Sequence, residues 1–104
     1  MRDEAHILLE IHLRELGQPF MSEYKFCPTR NWRFDYRLII PWMVAIEIEG
    51  GIFTRGRHTR GVGYQKDLLK YNTAAALGWK VYRFSTEDVL KGRAKTFLEE
   101  HLKP

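Results

Sequence analysis

Residues 32–49, WRFDYRLIIPWMVAIEIE, decide how this chain is read. Two runs rich in β-branched and aromatic residues, 32–40 and 43–49, meet at Pro41, a residue that cannot donate to a sheet ladder. Folded back to back about that point, residues whose numbers sum to 82 face one another: Asp35 opposite Glu47, Arg33 opposite Glu49, Arg37 opposite Ala45. Side chains alternate along a strand. Phe34, Tyr36, Leu38 and Ile40 therefore share a face with Val44, Ile46 and Ile48, and that face is the expected core. Arg33, Asp35, Arg37, Glu47 and Glu49 fall on the other. A slip of one residue would carry the whole apolar set into water, so burial itself selects the register. Cross-strand Cβ atoms stand about 5 Å apart, which lets Asp35 and Glu47 hold one cation between them. Carboxylates this close repel and need positive compensation, and hard oxygen ligands suit Mg²⁺ or Mn²⁺. Taken alone, the hairpin reads more readily as a solvated sheet face with Arg33–Glu49 and Arg37–Asp35 ion pairs.

Working outward, residues 3–16 carry a helical apolar stripe of Ile7, Leu8, Ile11, Leu13 and Leu16, with Gly17 suited to its end. A short strand is expected over 22–28. Residues 50–63, GGIFTRGRHTRGVG, are expected to be a glycine-rich loop, and a second helix is expected over 64–77, stopped by Gly78. A strand is expected over 79–84, then a last helix capped by Ser85 or Thr86 with Glu87 and Asp88 in its first turn. The order is α-β-β-β-α-β-α.

A chain of 104 residues has room for one domain, taken as 1–104. The N-terminal stretch is too charged for a signal peptide, and the longest apolar run, 38–46, is too short to span a bilayer. A single cysteine, Cys27, excludes an intrachain disulfide and a thiolate zinc site. No membrane partner and a cytoplasmic setting are expected. The net charge of +4 favours a polyanionic partner. It is unevenly spread: Arg30, Arg33 and Arg37 cluster, and Arg55, Arg57, His58 and Arg60 fill one short loop.

The ordered set RNWRFDYRLI, MVAIEIEGG, GRHTRG and YQKDLLKYNTAAALGWKVYRFS, running from about residue 23 to residue 89, resembles the PD-(D/E)XK nuclease superfamily. Within it the chain is most similar to small phage-type nucleases related to the very-short-patch-repair endonucleases. The resemblance implies an α/β (α+β) restriction-endonuclease-like core, α-β-β-β-α-β with a C-terminal helix, in which helices flank a mixed sheet. It matches Asp35 to the first motif acid and Glu47 to the second, and makes the Ile48 backbone carbonyl a further metal ligand. Glu49 stands where many members carry lysine, so it is read as a metal ligand or as a base for the attacking water. The missing cation is sought on the second helix, where Lys70 matches the DxxK pattern beside Asp67, and Lys66 lies one turn earlier. His58 is read as protonating the leaving 3′ oxygen or contacting the phosphate. Arg33, Arg55, Arg57, Arg60 and Lys66 are assigned to DNA phosphates.

The resulting expectation is a Mg²⁺-dependent DNA endonuclease, with Mn²⁺ as substitute, acting in phage recombination or DNA repair. Two rivals stand beside it. One is a homodimeric, junction-selective resolvase. The other is a non-catalytic DNA-binding module that retains the fold, which the three acids argue against. An RNA substrate is a third possibility. Of the tryptophans, Trp79 is read as core, and Trp42, at the hairpin tip, as a wedge for DNA. His6, His12 and His101 show no metal-binding spacing and are read as solvated helix residues.

Overall fold

The computed structural model of the chain, which describes residues 3–50 and 62–102, begins on a capped helix. In α1 (Glu4–Glu15) the Asp3 carboxylate accepts the His6 backbone N–H at 3.0 Å, satisfying one donor that a first helical turn leaves unpaired. Gly17, with φ of 70°, follows the end of the helix. The buried residues of α1 are Ala5, Leu9, Glu10 and Leu13, with Leu8 and Leu16 packed partly against the core. Ile7 and Ile11 are exposed. The helix offers two overlapping apolar stripes, and the one centred on Leu9 is chosen. That choice carries Glu10 inward, where Tyr36 Oη donates to it at 2.7 Å.

Four strands follow: β1 (Phe20–Lys25), β2 (Arg33–Leu38), β3 (Val44–Glu49) and β4 (Lys80–Ser85). They form one sheet in the order β1-β2-β3-β4. The first three run antiparallel to their neighbours, and β4 runs parallel to β3. A parallel partner cannot be reached by a hairpin, and α2 (Val62–Ala76) lies in the crossover. The first strand lies earlier than the expected 22–28. Phe26 and Cys27 are buried beyond its end, so that apolar run enters the core outside the ladder.

The expected last helix is two, α3 (Thr86–Leu90) and α4 (Arg93–His101), because Gly92 between them takes φ of 80°. Ser85 opens α3 with a capping box: its Oγ accepts the Asp88 N–H at 3.0 Å, and its own N–H donates to Asp88 Oδ2 at 3.1 Å. The whole is a mixed sheet flanked by helices, α-β-β-β-α-β-α-α, containing the expected core order. Among the described residues no helix is long and apolar enough to cross a membrane.

Two apolar clusters hold the layers together. The first joins Leu9 and Leu13 of α1, Val89 of α3 and Leu98 of α4 to Tyr36, Leu38, Val44 and Ile46. The second joins Ala74 of α2 and Trp79 to Phe26, Phe34 and Ala45. The face expected to be polar is thus half apolar. Arg37 is buried on it with its guanidinium 4.7, 4.4 and 4.9 Å from the rings of Tyr24, Trp42 and Trp79, which removes it from the basic surface. Trp79 packs in the core as expected, while Trp42 is 72% exposed. Two members of the expected core face are displaced. Ile40 lies beyond the end of β2 and is 67% exposed. Phe34 joins the second cluster, stacked on Phe26 at 4.1 Å, while Tyr36 and Leu38 join the first. Strand alternation therefore breaks at Asp35. The register places Glu23 across from it on β1, and Glu23 has φ of 55°, rare for a side chain of its kind.

The choice of stripe on α1 makes a direct prediction. Leu9→Ala should cost about 2–5 kcal/mol of unfolding free energy, whereas Ile11→Ala should stay within about 0.5 kcal/mol. Urea titrations of the two variants check this, and equal losses would show that the helix face is assigned wrongly.

Candidate active site

The pairs Tyr36↔Ile46 and Arg37↔Ala45 have the register that burial demanded of the hairpin. Beyond Tyr36 the two strands are joined differently. The Asp35 backbone N–H donates to Glu47 Oε2 at 2.7 Å, and the Ile48 backbone N–H donates to Asp35 Oδ2 at 2.8 Å. Carboxylates take the place of ladder carbonyls, and such charge-assisted bonds are stronger than neutral ones. The two acids expected opposite each other are thus brought together at the point where β2 and β3 part. Alternation had put both on one face, but their contacts divide them: α1 reaches Asp35 and α2 reaches Glu47.

Glu47 is the more enclosed, its side chain 8% exposed. Its Oε1 accepts from Lys70 Nζ at 3.1 Å and from the Tyr71 hydroxyl, both on α2. Lys70, expected to supply the missing cation, is therefore in contact with the second acid. Lys66, one turn earlier, is exposed. Glu49 pairs with Arg83 of β4, Nε to Oε2 at 2.9 Å, and not with Arg33. The parallel register sets Arg83 beside Glu47, and its guanidinium lies 4.2 Å over the Tyr71 ring. Arg33 is exposed and faces Lys25 across the other ladder. From α1, His6 Nε2 comes to 3.9 Å from Asp35 Oδ2. His58, Arg55, Arg57 and Arg60 lie outside the described residues.

The electrostatics follow from this enclosure. Burial pushes the Asp35 carboxyl above its usual range, the Glu47 charge adds to the rise, and the Ile48 N–H opposes it. Burial first, and then the hydrogen bond to Glu47, raises the Tyr71 phenol, so it stays a donor. The bond to Glu49 raises the Arg83 guanidinium further. Among the described residues no three His, Cys, Asp or Glu side chains are gathered to hold a metal ion. The site supplies Asp35 and Glu47 as a pair, with Glu49 turned to Arg83.

Three of these residues carried no usable signal in the sequence. His6 looked like any solvated helix residue. Tyr71 was one of two tyrosines, with Tyr64, in the sequence of α2. Arg83 meets Glu49 only through the parallel β3–β4 register, which no turn geometry specifies.

No protein-family model matches the sequence, and no curated protein is significantly similar to it. Among solved structures, the fold is similar to that of the homing endonuclease I-Bth0305I catalytic domain, with a TM-score of 0.69 over 95% of this chain and 93% of that one. The two sequences are 14% identical, so what they share is the fold.

A raised carboxyl has a stability consequence whose sign is fixed. The folded state holds the Asp35 proton more tightly than the unfolded chain does, so stability falls as pH rises from the ordinary aspartate value through the raised one. At neutral pH the charged carboxylate costs stability. Asp35→Asn keeps an oxygen for the Ile48 N–H and removes the charge. In EDTA at neutral pH it should raise Tm. In strongly acidic buffer the gain should vanish. A lower Tm at neutral pH would refute the sign.

Proposed function

We propose that this chain is a metal-dependent DNA endonuclease of the PD-(D/E)XK type, related to the phage-type and very-short-patch-repair nucleases, with residues 1–104 forming the nuclease domain. The observation that carries this reading is the pair of carboxylate–amide bonds at the parting of β2 and β3, Asp35 N–H to Glu47 and Ile48 N–H to Asp35, with Lys70 on Glu47. The fold shared with a homing endonuclease catalytic domain supports it.

The donor set fits a hard divalent cation. Asp35 Oδ1 takes no hydrogen bond from the described residues. Mg²⁺ is commonly held by one or two carboxylates with waters completing the shell, so the Asp35–Glu47 pair is sufficient. Asp35 and Glu47 would hold Mg²⁺ or Mn²⁺, with the Ile48 carbonyl and Glu49 as further oxygen donors. The ion, when bound, polarises the phosphoryl oxygen and lowers the pKa of a water.

The protein's own groups do the rest. The Asp35 amide, Lys70 and Tyr71 hold the Glu47 carboxylate in one orientation. The Lys70 ammonium balances the two acids and can donate to the phosphoryl oxygens as negative charge builds there. Glu49, the less enclosed acid, orients or deprotonates the attacking water. Arg83, gripped by Glu49 and stacked on Tyr71, presents a planar fork suited to a phosphate. His58 serves the leaving 3′ oxygen. Arg33, Arg55, Arg57, Arg60 and Lys66 hold the flanking phosphates, whose contribution weakens with salt. The net charge of +4 agrees with a DNA partner.

Supercoiled and linear DNA incubated with Mg²⁺, Mn²⁺ or EDTA tests the reading. Cleavage should require the ion and be lost in Asp35→Asn with DNA binding retained. Full activity in EDTA would overturn it. Two further variants locate the lysine's replacement. Glu49→Gln should slow the reaction by at least about 10²-fold if Glu49 handles the water's proton. Lys70→Ala should lower kcat more than it raises KM if Lys70 acts on the transition state. Near-normal kcat in both would exclude these roles.

A further inference from the structure

Helix α1 brings to this site a group that the reaction above leaves unused. His6 Nδ1 lies 2.8 Å from Asp3 Oδ1. An ionised carboxylate only accepts, so Nδ1 carries the hydrogen, and in the neutral ring Nε2 is left with a lone pair. That nitrogen faces Asp35 Oδ2 at 3.9 Å. The gap is too long for a hydrogen bond. It suits two ligands of one cation, because bonds of about 2.0–2.2 Å on each side allow a separation of up to about 4 Å. The ring is also held in place. The imidazole lies 6.0 Å from the Tyr36 ring, and the His6 side chain is 22% exposed. A carboxylate that fixes the tautomer of a histidine whose other nitrogen points at a metal ligand is a recurrent arrangement in metal sites.

We propose that His6, oriented by Asp3, is a nitrogen ligand to the divalent cation held by Asp35. This rests on the reading of Asp35 as a metal ligand. It deepens that reading, because an imidazole beside the Asp35 carboxylate shifts preference from Mg²⁺ towards Mn²⁺ and its later first-row neighbours.

The test is Mn²⁺ binding to the full chain, followed by calorimetry and by the electron spin-echo signal of nitrogen bound to Mn²⁺. His6→Gln leaves the backbone cap of α1 intact, and Asp3→Asn keeps a good capping residue. Circular dichroism should therefore show both variants folded. The wild type should show one imidazole nitrogen on Mn²⁺. His6→Gln should lose that signal and bind Mn²⁺ at least about 10-fold more weakly, with Mg²⁺ affinity changing less. Asp3→Asn should weaken Mn²⁺ by about 10–100-fold, the usual effect of removing a partner that orients a ligand. A nitrogen signal that persists in His6→Gln, or Mn²⁺ binding that depends on Asp35 but not on His6, overturns this inference alone. Mn²⁺ binding that is absent from the wild type, or untouched by Asp35→Asn, overturns the metal-site reading of Asp35 and this inference with it.

Discussion

Two backbone amides, those of Asp35 and Ile48, depend on carboxylates at the place where the central antiparallel pair opens. Backbone N–H groups away from water must find an acceptor. Here the acceptors are the two acids themselves, so opening the strands and placing the acids are one event. Phe34 lies in the second cluster at the same point, because a strand whose alternation breaks at Asp35 has the side chain just before it in the opposite layer from Tyr36. The acids are therefore held by the chain's own hydrogen-bond accounting, and neither can swing away without stranding an amide.

The same closeness creates a charge problem that is solved unevenly. Glu47 receives an ammonium and a phenol from α2, and Glu49 receives a guanidinium from β4. Among the described residues, Asp35 has an amide at hydrogen-bonding distance and a histidine further off. Burial therefore tells on Asp35, whose carboxyl is pushed upward. A native protein that leaves one acid undercompensated accepts a loss of stability there, a pattern more common at working sites than in plain structural networks.

Much of this was legible in the residues, and what was not has identifiable reasons. The hairpin register followed from parity, since only one pairing buries Tyr36, Leu38, Val44 and Ile46 together. Lys70 is singled out by the DxxK pattern that the family resemblance carries, and it does meet Glu47. The fate of Phe34 could not be read, because parity assumes an unbroken strand and the break arises from side-chain bonds at Asp35. Glu49 was matched to Arg33 by the antiparallel register, but the parallel neighbour β4 supplies Arg83 instead. The stripe on α1 was misjudged by about one residue, since Leu8 and Leu9 are both apolar and only packing tells them apart. The sites expected at Arg55, Arg57, His58 and Arg60 lie outside the described residues.

The left-handed residue in β1 reaches beyond the acid it faces. β1 is an edge of the sheet, with one side of its backbone unpaired by any described strand. An edge of this kind invites another chain to add a strand, and proteins blunt such edges with charge and with local departures from a flat ribbon. β1 carries both, with Glu23 and Lys25 exposed and the backbone turned at Glu23. An incoming strand would find amides and carbonyls in regular sequence for only two or three residues on either side of that turn. The distortion that accompanies the opening at Asp35 thus also guards the sheet against edge-to-edge aggregation. A residue at position 23 that favoured extended backbone would leave β1 a flatter edge.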